Sequence, residues 1–86
     1  MRPHRTVLVT RRAQRDITAL DGARRVAVLT AITDFAHGAL NADVRRLQGF
    51  DPPRWRLRVG SQRVIFALEP GLIVVERVLD RRDAYR

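Results

Sequence analysis

The sequence predicts an α+β domain in which an N-terminal strand and a helical hairpin pack on a twisted antiparallel β-sheet. Two observations lead to this prediction. Apolar residues recur at helical spacing between residues 11 and 37, and three strand-like runs follow one another closely between residues 54 and 79. At 86 residues, the chain is long enough for a single domain, 1–86, with one hydrophobic core.

The N-terminal half is predicted to contain one strand and two helices. Residues 5–10, RTVLVT, are β-branched and apolar, as in a strand. Thr10 is expected to cap a short helix, and Asp21 a longer one that runs from Ala23 to about His37. The apolar positions expected to face the core are Ala13, Ile17 and Leu20 in the first helix, and Val26, Leu29, Ile32, Phe35 and Ala36 in the second.

The C-terminal half is predicted to be a three-stranded meander. Residues 39–53 form a connector, with one helical turn expected at 42–47. The strands are expected at 54–59, 62–68 and 72–79. Gly60 and Ser61 form a two-residue hairpin turn of type II′, in which glycine occupies the first position. Glu69, Pro70 and Gly71 supply the second turn.

The composition points to an anionic partner. All 17 basic residues are arginines, and against nine acidic residues they give a net charge of +8. Such a charge on a small domain is typical of nucleic-acid binding. The sequence has no cysteine, no signal-peptide pattern and no apolar run of membrane-spanning length, so we expect a cytoplasmic protein.

The register of the first hairpin sorts the run RWRLRVGSQRVIF into two faces. A turn at Gly60 and Ser61 pairs Arg58 with Arg63 and Trp55 with Phe66. The apolar side chains then face the core, and the opposite face carries Arg54, Arg56, Arg58 and Arg63. Like charges across a strand pair are destabilising. Either these side chains spread into solvent, or they converge on an anion.

The second hairpin has two possible registers. A two-residue loop at Pro70 and Gly71 places Glu76 on the arginine-bearing face, whereas a three-residue loop places Arg77 there. Residues 72–75 are apolar throughout, so alternation does not choose between the registers.

Three segments resemble the RelE/ParE superfamily of bacterial toxins from toxin–antitoxin pairs. They are VTRRAQRDITAL near the N-terminus, LQGFDPPRWRLRVGSQRVIF at 47–66 and VLDRRDAYR at 78–86. The resemblance covers nearly the whole chain and implies the RelE-like fold. It also implies a ribosome-dependent mRNA endoribonuclease that is held inactive by a cognate antitoxin. In this reaction the RNA 2′-hydroxyl attacks the adjacent phosphate, with no metal or other cofactor.

The resemblance assigns site residues by position. Arg63, Arg81 and Tyr85 match the family's catalytic positions, and Arg58 lies beside Arg63. The candidate RNA-binding residues are Arg54, Arg56, Arg82, Arg11, Arg12, Arg45 and Arg46. Neither Arg63 nor Arg81 is predicted to be in the core. Arg24 and Arg25 form a third exposed pair beside Arg11/Arg12 and Arg45/Arg46; all three pairs could meet ribosomal RNA phosphates, and solvation alone would also explain them.

The chain departs from the family at the groups that move protons. Arginine has a pKa above about 12 and is a poor general acid or base. Glu76 and Asp80 are therefore possible proton carriers, beside Tyr85. The alternative function implied by the superfamily is that of a ParE-like toxin, which inhibits DNA gyrase without cleaving nucleic acid.

Overall fold

The computed structural model describes residues 4–82 and confirms the predicted α+β class. Its elements in chain order are β1 (Thr6–Val9), α1 (Arg11–Thr18), α2 (Gly22–Ala36), β2 (Val44–Arg46), β3 (Trp55–Val59), β4 (Gln62–Glu69) and β5 (Leu72–Asp80). The strands form one five-stranded sheet in the order β1-β5-β4-β3-β2. Strand β1 is parallel to β5, and the other neighbours are antiparallel. Within residues 4–82, no helix is both long and apolar enough to cross a membrane.

Both helices begin at the predicted caps. The Thr10 hydroxyl accepts a hydrogen bond from the Ala13 amide at 3.2 Å, and the Asp21 carboxylate accepts one from the Arg24 amide at 2.9 Å. Each cap satisfies an amide that has no partner within its helix. Arg25 of α2 donates to the Leu20 carbonyl at 2.8 Å, just after α1. The side chain of one helix thus helps to terminate the other.

The helices bury one face each against the sheet, but the face of α2 differs from the prediction. Val28, Ile32 and Ala36 are buried, whereas the predicted core residues Val26 and Leu29 are 64% and 44% exposed. Helix α2 is apolar around much of its circumference, so helical spacing was compatible with burial of either the Val26–Leu29 stripe or the stripe that contains Val28 and Ile32. Packing against β3 and β4 selected the stripe that contains Val28.

The connector contains a strand where a helical turn was predicted. Residues 44–46 form β2, an edge strand that pairs with β3. The Arg58 amide donates to the Asp43 carbonyl at 2.9 Å, and the Leu47 amide to the Arg54 carbonyl at 2.8 Å, so the pairing extends beyond both ends of β2. Without β2, the backbone N–H and C=O groups along this edge of β3 would face solvent, and pairing with residues 44–46 satisfies them. A strand of three residues is too short to be recognised in the sequence by alternation of apolar and polar residues.

Both hairpins have two-residue turns. Val59 pairs with Gln62, and Glu69 pairs with Leu72. Gly60 has a φ of 58° and Ser61 has no positive φ, as in the predicted type II′ turn. In the second turn, Gly71 follows Pro70 and has a φ of 69°. A side chain at either glycine would therefore strain the backbone.

A β-bulge changes the face on which the residues of β5 lie. The two-residue turn at Pro70 and Gly71 was one of the two predicted registers. The pairing then shifts, so that Phe66 pairs with Val75 but Ile65 pairs with Arg77. Glu76 is the extra residue of the bulge, and Arg77 lies on the same side of the sheet as Ile65. The structure therefore has the two-residue loop of the first predicted register, and it places Arg77 on the arginine-bearing side, as the second register does.

The edge of β5 that β1 leaves open is covered by side chains from the start of the helical hairpin. Strand β1 pairs only with residues 72–75 of β5. Beyond them, the Thr10 hydroxyl donates to the Glu76 carbonyl at 3.2 Å, and the Val78 amide donates to the Asp16 carboxylate at 2.8 Å. Thr10 and Asp16 thus supply partners that a longer β1 would have supplied.

We expect Asp16→Ala to lower the free energy of unfolding by about 1–3 kcal/mol, because it removes the acceptor of the buried Val78 amide. Asp16→Asn retains an acceptor oxygen and should cost less. Urea denaturation monitored by circular dichroism measures both, with the exposed α2 residue Asp34 replaced by alanine as a control. Equal stabilities for Asp16→Ala and Asp34→Ala would show that the edge contact contributes nothing.

Candidate functional site

The sheet has one face covered by helices and one face rich in arginine. Leu57, Val64 and Phe66 pack in the core with α1 and α2. Arg58 pairs with Arg63, and Arg56 with Ile65, in the predicted register. We call the side of the sheet that carries Arg54, Arg56, Arg58 and Arg63 the arginine face. Arg45, which pairs with Arg56, and Arg77, which pairs with Ile65, lie on the same side.

Three arginines on this face are neutralised by carboxylates. Arg54 binds Glu76, which reaches it from the bulge of β5. The Arg56 Nη1 lies 3.2 Å from an Asp43 carboxylate oxygen, and the Arg77 Nε lies 2.8 Å from one of Asp16. The hydrogen bond to Asp16 raises the pKa of Arg77 above its ordinary value, although burial opposes it. These three guanidinium groups are held by the chain itself.

Arg58 and Arg63 differ from these three. Within residues 4–82, neither has a carboxylate within ion-pairing distance. Arg63 is only 6% exposed, contrary to the prediction that it lies outside the buried interior. Its Nη1 makes a long hydrogen bond of 3.4 Å to the Gln62 carbonyl, and its buried Nε has no partner among the described residues.

The burial of Arg63 follows from its position in the sheet. Strand β4 is the central strand, so Arg63 is flanked by Arg58 on β3 and Leu79 on β5. Long side chains on neighbouring strands shield one another through their aliphatic stems. A buried guanidinium with an unsatisfied donor is energetically costly. An oxyanion between Arg58 and Arg63 would offset that cost with charge-assisted hydrogen bonds.

Arg81 lies beyond this pair, at the end of the sheet. Its amide donates to the Ser61 carbonyl at 2.7 Å, which ties the residue after β5 to the β3–β4 turn. Its side chain lines a cleft with Arg24, Ser61, Asp80 and Arg82. The structure therefore brings Arg58 and Arg63 together and places Arg81 next to the turn that joins their strands. Tyr85 lies outside the described residues.

The two candidate proton carriers are in different surroundings. Glu76 is partly buried and bound to Arg54. Asp80 accepts a hydrogen bond from the Arg82 amide at 3.1 Å. That hydrogen bond, helped by the charges of Arg82 and Arg24, lowers the pKa of Asp80 below its ordinary value despite some desolvation. An ionised Asp80 cannot donate a proton near neutral pH and is a weaker base than an ordinary carboxylate.

The remaining candidate RNA-binding residues are spread over the surface. Arg45 and Arg46 are exposed on β2, where alternation directs only Arg45 to the arginine face. Arg11 and Arg12 are exposed in the first turn of α1, in the helical layer behind the sheet. Among residues 4–82, no three His, Asp or Glu side chains come together as a metal site.

Sequence reasoning missed the counter-ions Asp16 and Asp43. Asp16 lies 61 residues from Arg77 in the chain, so no local pattern links them. Asp43 was placed in a helical turn, where it would not have followed the edge of β3. One signal was available for Asp16: it precedes the buried Ile17 on a helix facing the sheet, where a carboxylate needs a partner.

The overall structure is similar to those of several solved proteins. One is a chain of the RelB–RelE antitoxin–toxin complex from Methanococcus jannaschii, with 22% identity and a TM-score of 0.75 over 91% of this chain and 94% of that one. Another is from the RelE–RelB complex of Pyrococcus horikoshii, with 20% identity, a TM-score of 0.75 and coverages of 95% and 99%. The chain has a RelE-like fold.

A third similar structure has a slightly higher sequence identity. It belongs to the toxin–antitoxin complex RelBE2 from Mycobacterium tuberculosis, with 26% identity, a TM-score of 0.62 and coverages of 96% and 97%. No protein-family model matches the sequence, and no curated protein is significantly similar to it. The RelE-like fold implied by the sequence resemblance is thus confirmed by structural similarity.

For this RelE-like domain, we expect Arg63→Met to raise the free energy of unfolding by about 1 kcal/mol or more, because it replaces a buried cation that has no carboxylate partner among residues 4–82 with an apolar side chain. Arg56→Met is the matched control, since Arg56 is 8% exposed but paired with Asp43. It should be neutral or destabilising. Chemical denaturation of both variants tests the expectation, and a destabilised Arg63→Met with a stabilised Arg56→Met would contradict it.

The lowered pKa of Asp80 predicts a pH-dependent contribution to stability. The ionised form is favoured by folding, so the contribution is complete above the unfolded pKa of about 3.9 and is lost as the pH falls through the folded pKa. Asp80→Asn keeps an acceptor but removes the charge. The stability difference between wild type and this variant should be constant above about pH 5 and shrink at lower pH. A difference that grows on acidification would contradict the prediction.

Proposed function

We propose that this chain is the toxin of a toxin–antitoxin pair and acts as a ribosome-dependent mRNA endoribonuclease. One observation carries the proposal: among residues 4–82, Arg58 and Arg63 lie opposite each other with no carboxylate in ion-pairing distance, on a face where three other arginines are paired. The RelE-like fold supports the same function, because its similar structures come from antitoxin–toxin complexes.

The proposed reaction is in-line attack of an RNA 2′-hydroxyl on the adjacent phosphate. The O–P bond to the 2′-oxygen forms, the bond to the 5′-oxygen of the next nucleotide breaks, and a 2′,3′-cyclic phosphate remains. Negative charge builds on the non-bridging oxygens, where Arg63 and Arg58 are proposed to donate hydrogen bonds. Both arginines lie on paired strands, so their backbones are held in the register that sets the two side chains opposite each other.

The proton transfers need groups other than these arginines. Glu76 is the remaining described candidate for the base that takes the 2′-hydroxyl proton, although its partner Arg54 lies four residues, or about 13 Å, along β3 from Arg58. Its bond to Arg54 would have to open or shift when the substrate binds. Tyr85 remains a proposed donor to the leaving oxygen, and Arg81 a proposed ligand of the phosphate. The lowered pKa of Asp80 disfavours it for either role.

The proposed partner is a cognate antitoxin that carries both carboxylates and apolar side chains. Carboxylates would complement the net charge of +8 and the guanidinium groups of Arg58 and Arg63, which have no carboxylate partner in the described part of the chain. The antitoxin's apolar side chains would pack against exposed apolar residues of this chain, such as Val26 and Leu29, which form a stripe along α2. The antitoxin–toxin complexes formed by proteins of similar structure support this assignment.

The nuclease is tested with programmed ribosomes and an end-labelled message. Wild type should cut only in the presence of ribosomes, and Arg63→Lys should lose about 100-fold or more in kcat/KM, because lysine cannot reproduce the planar fork of arginine. Arg58→Lys should lose less, since Arg58 is exposed. The control is Arg56→Lys, which keeps its charge next to Asp43. A 2′-deoxynucleotide at the cleavage position should abolish cutting.

A parallel supercoiling assay tests the ParE-like alternative. Inhibition of DNA gyrase by a protein that leaves the message intact would replace the nuclease proposal. Full cleavage by Arg63→Lys would reject the proposed site but leave the nuclease itself standing. The similarity to RelE structures does not favour the gyrase alternative.

A further inference from the structure

A second cluster of arginines surrounds the β3–β4 turn. Arg24 of α2, Ser61 of the turn, and Asp80, Arg81 and Arg82 at the end of β5 line one cleft. Arg24 also lines an adjoining groove between α2 and the same turn. The other residues of that groove are Ala23, Ala27, Val59, Gly60, Ser61 and Gln62. Arg24 therefore lies at the junction between the cationic cleft at the end of β5 and the groove of small and apolar residues beside α2.

The cleft carries an excess of positive charge. Asp80 is its only carboxylate among the described lining residues, and it is bound by the Arg82 amide and by the Arg82 Nε at 3.5 Å. Arg24 meets Asp21 at 3.4 Å, but both side chains are 58% exposed. Exposed pairs of this kind contribute little and exchange easily with other partners. Arg24 and Arg81 are thus available to an anion.

The cleft adjoins the end of the arginine face, where Arg81 lies, while Val59, Gln62 and Asp80 lie on the helix-covered side of the sheet. Leu79 pairs with Arg63, and Arg81 follows two residues later, tied to Ser61 by its amide. Two residues of extended chain span about 7 Å, so Arg81 lies one short step beyond Arg63 in the direction of the strand. A polynucleotide bound at Arg58 and Arg63 would reach the cleft at Arg81 and bend round the β3–β4 turn to enter the groove beside α2.

We propose that the cleft and groove form a second nucleotide subsite, next to the one that holds the scissile phosphate. Arg24, with Arg81 and Arg82, binds the neighbouring phosphate, and the base lies against Ala23, Ala27 and Val59. This inference rests on the proposed nuclease function, and it adds a binding site for the nucleotide next to the scissile phosphate. A single-stranded RNA fits because each nucleotide presents an anionic phosphate and a flat apolar base together. An acidic peptide without apolar side chains would use the arginines but leave the groove empty.

The test uses short RNAs made uncleavable by 2′-O-methyl groups and follows the protein by ¹H–¹⁵N NMR. With a tetranucleotide, the amides of Ser61, Gln62 and Arg82 should shift along with those of Arg58 and Arg63. Arg24→Gln should raise the Kd about fivefold and reduce the slope of log K against log salt by about 0.7. The matched control is Arg15→Gln, which removes the same charge from an exposed position on α1 and should change neither.

A dinucleotide that contains only the scissile phosphate separates this subsite from the catalytic one. Arg24→Gln should bind it as wild type does, whereas Arg63→Lys should bind both RNAs more weakly. Ala27→Glu, which places a carboxylate in the groove, should weaken only the tetranucleotide.

Three results would overturn the inference, and they differ in what they say about the nuclease. Equal effects of Arg24→Gln and Arg15→Gln would reject the subsite, and the proposed function would stand if Arg63→Lys still weakened binding. Loss of antitoxin affinity in Arg24→Gln, with RNA affinity unchanged, would assign the cleft to the antitoxin instead. Absence of RNA binding by wild type, with or without ribosomes, would reject both proposals.

Discussion

The register of the β3–β4 hairpin is the constraint on which the rest of the structure depends. A turn of two residues at Gly60 and Ser61 sets Arg58 opposite Arg63 and directs Leu57 and Val64 into the core. A slip of one residue would exchange the two faces and place arginines under the helices. The apolar core therefore stabilises the same register that holds the like charges together. Burial of the apolar face outweighs the repulsion, since each buried aliphatic side chain contributes about 1.5–3 kcal/mol.

Charge compensation then divides the arginine face into two classes. Carboxylates from three different parts of the chain reach Arg54, Arg56 and Arg77. Arg63, on the central strand, is left without one among residues 4–82. From the composition alone, the positive charge would be expected to be spread evenly over the surface. The structure instead shows a basic surface that is only partly neutralised: within residues 4–82, Arg58, Arg63 and the exposed Arg45 of edge strand β2 have no carboxylate within ion-pairing distance.

The sequence predicted the features that depend on local chemistry. The helix caps Thr10 and Asp21, the type II′ turn and the arginine face all follow from a few neighbouring residues. Features that depend on distant contacts were not predictable in the same way. Strand β2 exists because β3 has an open edge, and the stripe of α2 that contains Val28 is buried because of the sheet below it. The low exposure of Arg63 depends on Arg58 and Leu79, which only the assembled sheet brings to its two sides.

The same pair of arginines links the proposed substrate with the proposed inhibitor. A buried guanidinium without a partner destabilises the unliganded fold, and any oxyanion that reaches it recovers that free energy. A scissile phosphate would recover this free energy only briefly, because the geometry of the phosphate changes during the reaction. An antitoxin carboxylate at the same place would recover it in a stable complex and exclude the phosphate. If the proposed function is correct, Arg63, whose Nε has no partner among residues 4–82, favours substrate binding by the free protein and tight inhibition by the proposed antitoxin.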